Sequence, residues 1–273
     1  MQSNLKDKIV IVTGANSGIG KAAAIQLAQC GATVVMACRS VERGVEALDD
    51  VRKAAHSQNV TLMQVDMSTH KSIRDFAEVF KSLYPRLDVL IHNAGVFMKR
   101  RQLSGDGHEM TFAVNHLAPF LLTALLGDLL AASAPARVVT VSSVAHQRGK
   151  LDFDNLQSER SFDGYGAYSA SKLANVLFAF ELAARKRLEG ITSNALHPGV
   201  VTTKLLHEGF GSTGISPADG ARNSVYLATS PEVEGISGMY FDNCRPGRVA
   251  PAAEQADLRE RLWIVSEELT GLS

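Results

Sequence analysis

Short apolar runs alternate with longer helix-like segments along most of the chain. The apolar runs are continuous rather than alternating with polar residues, which is typical of strands buried on both faces in a parallel sheet. Seven such runs predict strands, and they are Lys8–Val12, Thr33–Ala37, Val60–Val65, Val89–Ile91, Arg137–Val141, Thr192–Leu196 and Gly238–Phe241.

Helical periodicity fills the spaces between these strands. It predicts helices near Ile19–Cys30, Val41–Ala55 and Ser72–Ser82, more between the fourth and fifth strands, and a long run over Leu173–Leu188. Strands that alternate with helices form parallel sheets with right-handed crossovers. We therefore predict an α/β fold spanning residues 1–273. It is a single-domain, doubly wound (Rossmann-type) parallel sheet of about seven strands with helices on both faces.

The composition narrows the function. Lys+Arg and Asp+Glu both number 28, so the formal net charge is zero, which argues against nucleic acid as a partner. The three cysteines, Cys30, Cys38 and Cys244, have no CxxC spacing, so we predict neither a disulfide framework nor a metal site. Free thiols favour a reducing compartment.

Two segments bear on membrane association. The start, Met1–Lys8, is polar and charged, which predicts neither a signal peptide nor a membrane anchor. The stretch Pro119–Ala136 is strongly apolar but contains Gly127 and Asp128, so we interpret it as a buried helix rather than a membrane span. We expect a cytoplasmic protein.

A glycine-rich turn, Thr13–Gly20, separates the first strand from the first helix. Glycines allow the chain to turn sharply and to approach a ligand closely, while the helix that follows presents free amides to a pyrophosphate. The alternative is a purely structural turn, which its position after the first strand disfavours. The residues of the turn that we predict to contact a dinucleotide are Gly14, Asn16, Ser17, Gly18, Ile19 and Gly20.

The second strand ends near Arg39, where a dinucleotide fold reads the adenosine ribose. A carboxylate there would accept hydrogen bonds from a free 2′-hydroxyl, whereas an arginine pairs with a 2′-phosphate. The position therefore favours NADP(H) over NAD, with Asn16 and Arg43 as candidate helpers. A solvated surface arginine is the alternative.

Tyr168 and Lys172 lie four residues apart in a helical run, so they share one helix face. A free phenol titrates near pH ~10, and a neighbouring ammonium favours its ionised form. We therefore expect Lys172 to lower the pKa of Tyr168. Proton transfer by such a group contributes roughly 10²–10⁴ in rate.

Together these motifs resemble the short-chain dehydrogenase/reductase family over nearly the full length and in the family's order. Besides the features above, they are Asn93-Ala94-Gly95 after the fourth strand, Asn115, Ser142-Ser143 ending the fifth strand, and His197-Pro198-Gly199 with Thr203. The resemblance implies that Ser143 binds the substrate oxygen beside Tyr168, with Ser142 as the alternative. It also implies that Lys172 binds the nicotinamide ribose and that Asn115 holds a water in a proton relay.

The resemblance implies further cofactor contacts after each strand. Asp66 would contact the adenine, and Pro198, Val201 and Thr203 would hold the carboxamide end. The full set after the second, third, fourth and sixth strands is Arg39, Asp66, Met67, Asn93, Ala94, Gly95, Pro198, Gly199, Val201 and Thr203, with Tyr168 and Lys172 completing the site.

The long segment between Ser143 and Tyr168 is similar to the retinol-dehydrogenase-like and WW-domain-oxidoreductase-like branch, as is Ser171–Val176. That branch implies reduction of retinaldehyde or other lipophilic aldehydes, ketones or steroids with NADPH. The apolar and glycine residues around 200–215 predict a mobile lid over the substrate.

The leading hypothesis is an NADP-dependent short-chain oxidoreductase for lipophilic carbonyls or alcohols. A catalytically silent NADP-binding regulatory protein and an NAD-dependent alcohol dehydrogenase are the alternatives. The helices near Leu117–Leu130 and Ala174–Leu188 carry more apolar surface than one sheet face requires. They predict a homo-dimer or homo-tetramer. We interpret His116 and His197 as donors or acceptors of supporting hydrogen bonds.

Overall fold

A central sheet forms where the sequence has its apolar runs. The computed structural model describes residues 4–185 and 190–272. In sheet order β3-β2-β1-β4-β5-β6-β7-β8, the first seven strands are parallel and β8 is antiparallel to β7. The strands are β1 Ile9–Thr13, β2 Thr33–Cys38, β3 Val60–Gln64, β4 Val89–His92, β5 Ala136–Val141, β6 Ile191–His197, β7 Tyr240–Asp242 and β8 Arg245–Pro246.

The predicted fold class is confirmed, and the sheet has one strand more than the seven predicted. The extra strand, β8, pairs Phe241 with Pro246 and Asp242 with Arg245. It consists of two exposed residues without an apolar pattern, so periodicity carried no signal for it.

Helices cover both faces of the sheet. Val41–Ala55 agrees with its prediction at both ends. The helix α6 begins at Gly164, one turn before Tyr168, where the predicted helical run starts, because Asp163 caps its first turn by accepting from the Gly166 amide. The predicted end at Leu188 lies outside the described residues. The helices are α1 Gly18–Gln29, α2 Val41–Ala55, α3 His70–Leu83, α4 Met110–Phe112, α5 Ala118–Ala132, α6 Gly164–Ala184, α7 Lys204–Phe210, α8 Pro217–Thr229 and α9 Ala256–Thr270.

Each central strand buries both of its faces. In β1, Val10 and Val12 pack under α1, α2 and α8, while Ile11 between them packs under α3, α5 and α6 on the other side. Side chains of successive strand residues point to opposite faces, so a strand covered by helices on both sides is apolar throughout. This explains the continuous apolar runs in the sequence.

The described chain contains one helix long and apolar enough to cross a membrane, judged by length and composition. It is Met110–Ala132, formed by α4, a π-helical turn and α5, with a mean hydropathy of 1.4 in its most apolar window. Of that window, 78% is buried inside the fold, as expected for a core helix. The interpretation of this stretch as a buried helix agrees with that packing.

The C-terminal helix α9 packs against the apolar helices α5 and α6. Trp263 stacks on Phe178 of α6 at 6.1 Å between ring centroids and meets Phe120 of α5 edge-on at 4.8 Å. Part of the apolar surface of α5 and α6, from which an oligomer was predicted, is therefore covered by α9 of the same chain. The oligomeric state itself stays a prediction.

The strand order reverses between β1 and β4. In doubly wound sheets ligands bind at such a switch point, beyond the carboxyl ends of the strands. The fold thus fixes where a site should be sought.

Candidate active site

The glycine turn lies at the switch point, beyond β1. Gly14 and Gly18 have φ values of 68° and 53°, a left-handed conformation that favours glycine. Gly20 is enclosed instead: a Cβ built there would lie 2.4 Å from Nδ2 of Asn93 and 2.5 Å from the carbonyl oxygen of Gly14. A Cβ built on Gly14 would lie 3.0 Å from Cα of Ala94, so the turn and the loop after β4 pack backbone against backbone at that point.

The N-terminus of α1 fits a bound pyrophosphate. Ser17 occupies the cap position but makes no side-chain cap hydrogen bond, and the first turn contains no acidic residue. In contrast, Ser40 caps α2, Asp163 caps α6 and Ser216 caps α8. Free helix amides with a positive dipole end suit an anion, so the residues present fit a dinucleotide here.

Thr13 holds the two cofactor loops together. Its hydroxyl accepts from the amides of Asn93 and Ala94, both at 3.0 Å, and the Asn93 side chain donates to the Thr13 carbonyl at 2.8 Å. Sequence reasoning assigned Asn93 and Ala94 to the cofactor trough but gave Thr13 no role. Its position at the end of β1, just before Gly14, is the signal that could have found it.

The residues predicted to contact the adenosine differ in their surroundings. Arg39 is exposed at the end of β2, and Asp66 follows β3, where one carboxylate oxygen accepts from the amide and hydroxyl of Ser68. The side chain of Met67 is buried in the core cluster that includes residues of α3. Ile19 likewise packs its side chain against the core.

Asn115 lies in a π-helical turn, Ala113–Leu117, between α4 and α5. Such turns interrupt regular helices and are frequent at functional sites. The Asn115 side chain accepts from the Val96 amide at 2.8 Å and donates to the Val96 carbonyl and to Ser171 Oγ, both at 3.0 Å. Ser171 donates in turn to the carbonyl of Tyr168 at 2.7 Å, which ties Asn115 to α6.

Ser143, and not Ser142, faces the tyrosine. The Ser142 hydroxyl donates to the carbonyl of Lys172 at 2.7 Å, while the Ser143 side chain hydrogen-bonds with that of Tyr168. Phe97 meets the Tyr168 ring edge-on at 5.8 Å between centroids. The side chains of Ser143 and Tyr168 therefore lie together, in the arrangement that the family resemblance implies.

Lys172 completes the group. Its Nζ lies 5.6 Å from the centre of the Tyr168 ring and donates to the Val141 carbonyl at 2.9 Å. A Cβ built on Gly95 would lie 3.4 Å from Asn115 Oδ1 and 3.6 Å from Lys172 Nζ. Gly95 therefore lies beside both residues of the predicted relay and, having no side chain, leaves the space next to them open.

The structure reverses the expected titration of the tyrosine. Burial raises the pKa of Tyr168 to about 12, and the hydrogen bond from Ser143 only partly opposes that rise. Burial also lowers the pKa of Lys172 to about 8. Burial disfavours the charged form of each group, and this effect outweighs the attraction expected from helical spacing. The side chains thus favour a neutral phenol.

The segment after β6 closes over the turn. A Cβ built on Gly18 would lie 3.2 Å from Cγ2 of Thr203, so the predicted carboxamide contact lies against the phosphate turn. Gly199 has a φ of 89°, and the buried Val201 pairs with Ile215 across the base of the loop, next to Pro198. The loop contains α7, and its motion stays a prediction.

Comparison with known proteins agrees with this geometry. A family model described as short chain dehydrogenase matches residues 8–211. The chain belongs to the short chain dehydrogenase family. Human retinol dehydrogenase 12 is 44% identical over 98% of this chain and 88% of its own length, and human retinol dehydrogenase 14 is 40% identical over 97% and 87%.

Solved structures share the fold of this chain. An uncharacterized protein from Mycobacterium paratuberculosis superposes with a TM-score of 0.83 at 32% identity, covering 99% of this chain and 96% of its own. A short chain dehydrogenase from Escherichia coli, complexed with NADPH, has a TM-score of 0.76 at 27% identity over 90% of this chain and all of its own (100%). The chain is thus an oxidoreductase-family member that is similar to retinol dehydrogenases.

Proposed function

We propose that this chain is an NADP(H)-dependent oxidoreductase that transfers a hydride between the nicotinamide and a lipophilic aldehyde, ketone or alcohol, such as a retinal-like compound. The observation that carries the proposal is the contact between Ser143 and Tyr168 with the Lys172 ammonium 5.6 Å from the tyrosine ring. A binding protein would have no need of a buried acid–base group with a cation beside it.

The cofactor would occupy the crevice over the glycine turn and supply or accept the hydride. The chain's own residues handle the proton. In the reducing direction, the carbonyl oxygen lies between the Ser143 and Tyr168 hydroxyls, and the phenol O–H donates its proton to that oxygen. A neutral phenol, favoured by burial, suits this direction. Lys172 then returns a proton to Tyr168 and takes one from solvent through a water that Asn115 would hold.

The preference for NADP(H) is supported at the end of β2. Arg39 is exposed there, Arg43 lies in the first turn of α2, and the first residues after the strand contain no carboxylate until Glu42. Arginine pairs with a phosphate through two parallel hydrogen bonds. Structural neighbours crystallised with NADP and NADPH, at 27% identity each, point the same way.

The lipophilic substrate class is supported by exposed apolar side chains near Tyr168. Val144, adjacent to Ser143, is 46% exposed, and Tyr165, one turn before Tyr168, is 37% exposed. Val200 is 51% exposed at the base of the loop over the site. With Phe97, which contacts the Tyr168 ring, these side chains offer apolar surface to a substrate, which favours one with a hydrocarbon body.

We further propose a reducing, cytoplasmic setting, because Cys30 and Cys38 are buried free thiols and Cys244 is a half-buried one. A homo-dimer or homo-tetramer is proposed on the general tendency of soluble enzymes to form symmetric assemblies. Light scattering on the purified chain tests the second proposal.

The mechanism is tested with Tyr168→Phe and a panel of carbonyls with NADPH. Removing the phenol hydroxyl should lower kcat by roughly 10²–10⁴, while NADPH affinity, measured by fluorescence, stays unchanged. Tyr226→Phe is the matched control, because it removes a phenol hydroxyl on α8 that bonds to Glu232, and it should keep near-normal turnover. Full activity of Tyr168→Phe would overturn the mechanism. Saturable NADP(H) binding without turnover by wild type would indicate a regulatory binding protein, and faster turnover with NADH would indicate the NAD-dependent alternative.

A further inference from the structure

Ser143 follows the last residue that is hydrogen-bonded into the sheet. The last paired residue of β5 is Val141, opposite Leu196, and the Ser142 amide makes one more bond to the Leu196 carbonyl at 2.8 Å. From Ser143 onward the chain leaves β5 and enters a short 3₁₀ helix, Val144–Arg148. The position of the Ser143 hydroxyl therefore depends on bonds outside the β-ladder.

The Ser143 hydroxyl itself accepts from the Ala145 amide at 3.2 Å, and the Ser143 carbonyl accepts from the His146 amide at 3.1 Å. Two histidine side chains add bonds to a single peptide group next to that hydroxyl. Nδ1 of His146 lies 2.6 Å from the carbonyl oxygen of Ser143. The amide of Val144, on the other side of the same peptide bond, donates to Nδ1 of His197 at 3.3 Å. Both polar atoms of the Ser143–Val144 peptide thus contact imidazoles.

The partners require opposite tautomers. His146 is fully buried, and its Nε2 accepts from the Ala250 amide at 3.2 Å, so its proton must be on Nδ1, from which it donates to Ser143. His197 accepts through Nδ1, so its proton must be on Nε2. Burial lowers the pKa of both imidazoles, although Asp242 opposes the shift at His197.

Each histidine is fixed by a different part of the fold. The His146 ring packs on Tyr240 of β7 at 4.6 Å between centroids. His197 is the last residue of β6, and its carbonyl accepts from the Asn223 side chain of α8 at 2.9 Å. The peptide is therefore held between rigid elements from two directions.

We propose that His146 and His197 are positioning residues that clamp the Ser143–Val144 peptide and thereby direct the Ser143 hydroxyl toward Tyr168. The inference rests on the proposed function, because it assigns these histidines to the same reaction. A small displacement of a catalytic group lowers turnover by as much as about 10²-fold.

Replacing a histidine with asparagine or glutamine tests which imidazole nitrogen makes the important hydrogen bond. An asparagine amide reaches the position of a histidine Nδ1, and a glutamine amide that of Nε2. His146→Gln and His197→Leu should lower kcat at least about tenfold, with the Kd for NADPH unchanged, when assayed with retinal. His146→Asn and His197→Asn should keep most of the wild-type kcat.

His92→Gln is the control, because His92 is also buried but bonds to Thr123. This variant should lower Tm and keep kcat.

A double-mutant cycle with Ser143→Ala distinguishes the clamp from a general packing role. If the histidines act through Ser143, His197→Leu should change kcat far less in the Ser143→Ala background than in wild type. Equal losses in both backgrounds, or normal kcat in His197→Leu, would overturn the proposal.

A measurement without turnover keeps the clamp separate from the proposed function. Imidazole ¹⁵N shifts of the wild-type protein should show His146 protonated on Nδ1 and His197 on Nε2. If wild type fails to reduce any carbonyl while these tautomers are observed, the proposed reaction is wrong and the clamp stands. Identical tautomers at the two histidines would refute the clamp whatever the activity.

Discussion

In the wall of the crevice that faces the cofactor, formed by residues 13–20 and 93–95, backbone atoms approach backbone atoms. A Cβ built on Gly14 would lie 3.0 Å from Cα of Ala94, and Thr13 bonds two amides of the opposite loop. The wall that we propose to bind the substrate, formed by Phe97, Val144, Tyr165 and the loop 200–215, presents partly exposed apolar side chains, among them Val200 and Ile215. That loop is paired at its base, where Val201 and Ile215 meet.

The difference explains what each wall can recognise. Close backbone packing fixes the shape of the cofactor wall and offers amides to a ligand common to many enzymes. The substrate wall can exchange side chains without disturbing the sheet, so its chemistry is set locally. Mutations in the first wall should alter cofactor binding, and mutations in the second should alter substrate binding.

The largest effect should come from Arg39→Asp, at the rim of the cofactor wall. Losing a charge-assisted pair and adding a like charge should weaken NADPH binding by about 100-fold relative to NADH, because hydrogen bonds to charged groups contribute about 1.5–3 kcal/mol each. Titration with both cofactors measures the ratio. Lys53→Asp, an exposed charge change at the far end of α2, should leave it unaltered. An unchanged ratio in Arg39→Asp would place the 2′-phosphate elsewhere.

A smaller effect is expected from Gly20→Ala, which tests whether backbone packing matters to the cofactor wall. The added methyl group would collide with Asn93 and with the Gly14 carbonyl, so stability should fall by about 1–3 kcal/mol and NADPH affinity by about tenfold. Gly211→Ala is the counterpart in the substrate wall, where a Cβ meets no atom within 4 Å. It should lose about 1 kcal/mol from its left-handed backbone and keep NADPH affinity. Equal loss of NADPH affinity in both variants would show that close backbone packing in the cofactor wall has no specific effect on cofactor binding.

The smallest effect should come from Phe97→Ala, in the substrate wall. Loss of the edge-on contact with Tyr168 and of apolar surface should raise the KM for retinal about fivefold, since aromatic contacts contribute about 0.5–1.5 kcal/mol. The KM for NADPH should stay constant. Leu103→Ala, which also removes an exposed apolar side chain, should change neither value. A rise in the KM for NADPH would show that Phe97 belongs to the cofactor wall.

Much of the site was predictable because parallel strands bring their carboxyl ends to one edge of the sheet. The glycine turn, Asn93 and Ser143 each follow a predicted strand, so order along the chain indicated proximity in space. The contribution of Thr13 was missed, because the turn was interpreted from its glycines and not from the residue that ends β1 just before Gly14. The assignment of Met67 to the cofactor stays a prediction, and its side chain lies in the core cluster with residues of α3, a placement that local periodicity did not indicate.

The order of strands and helices and the glycine turn follow from the amino-acid sequence alone, because they reflect local periodicity and the positions where glycine is required. The titration of Tyr168 depends on the fold, since burial by residues distant in sequence raises the pKa of the phenol despite a lysine one turn away. The fold also places α9 over α5 and α6, and brings His146 and His197 to one peptide group. Those contacts join residues far apart along the chain, and no local pattern encodes them.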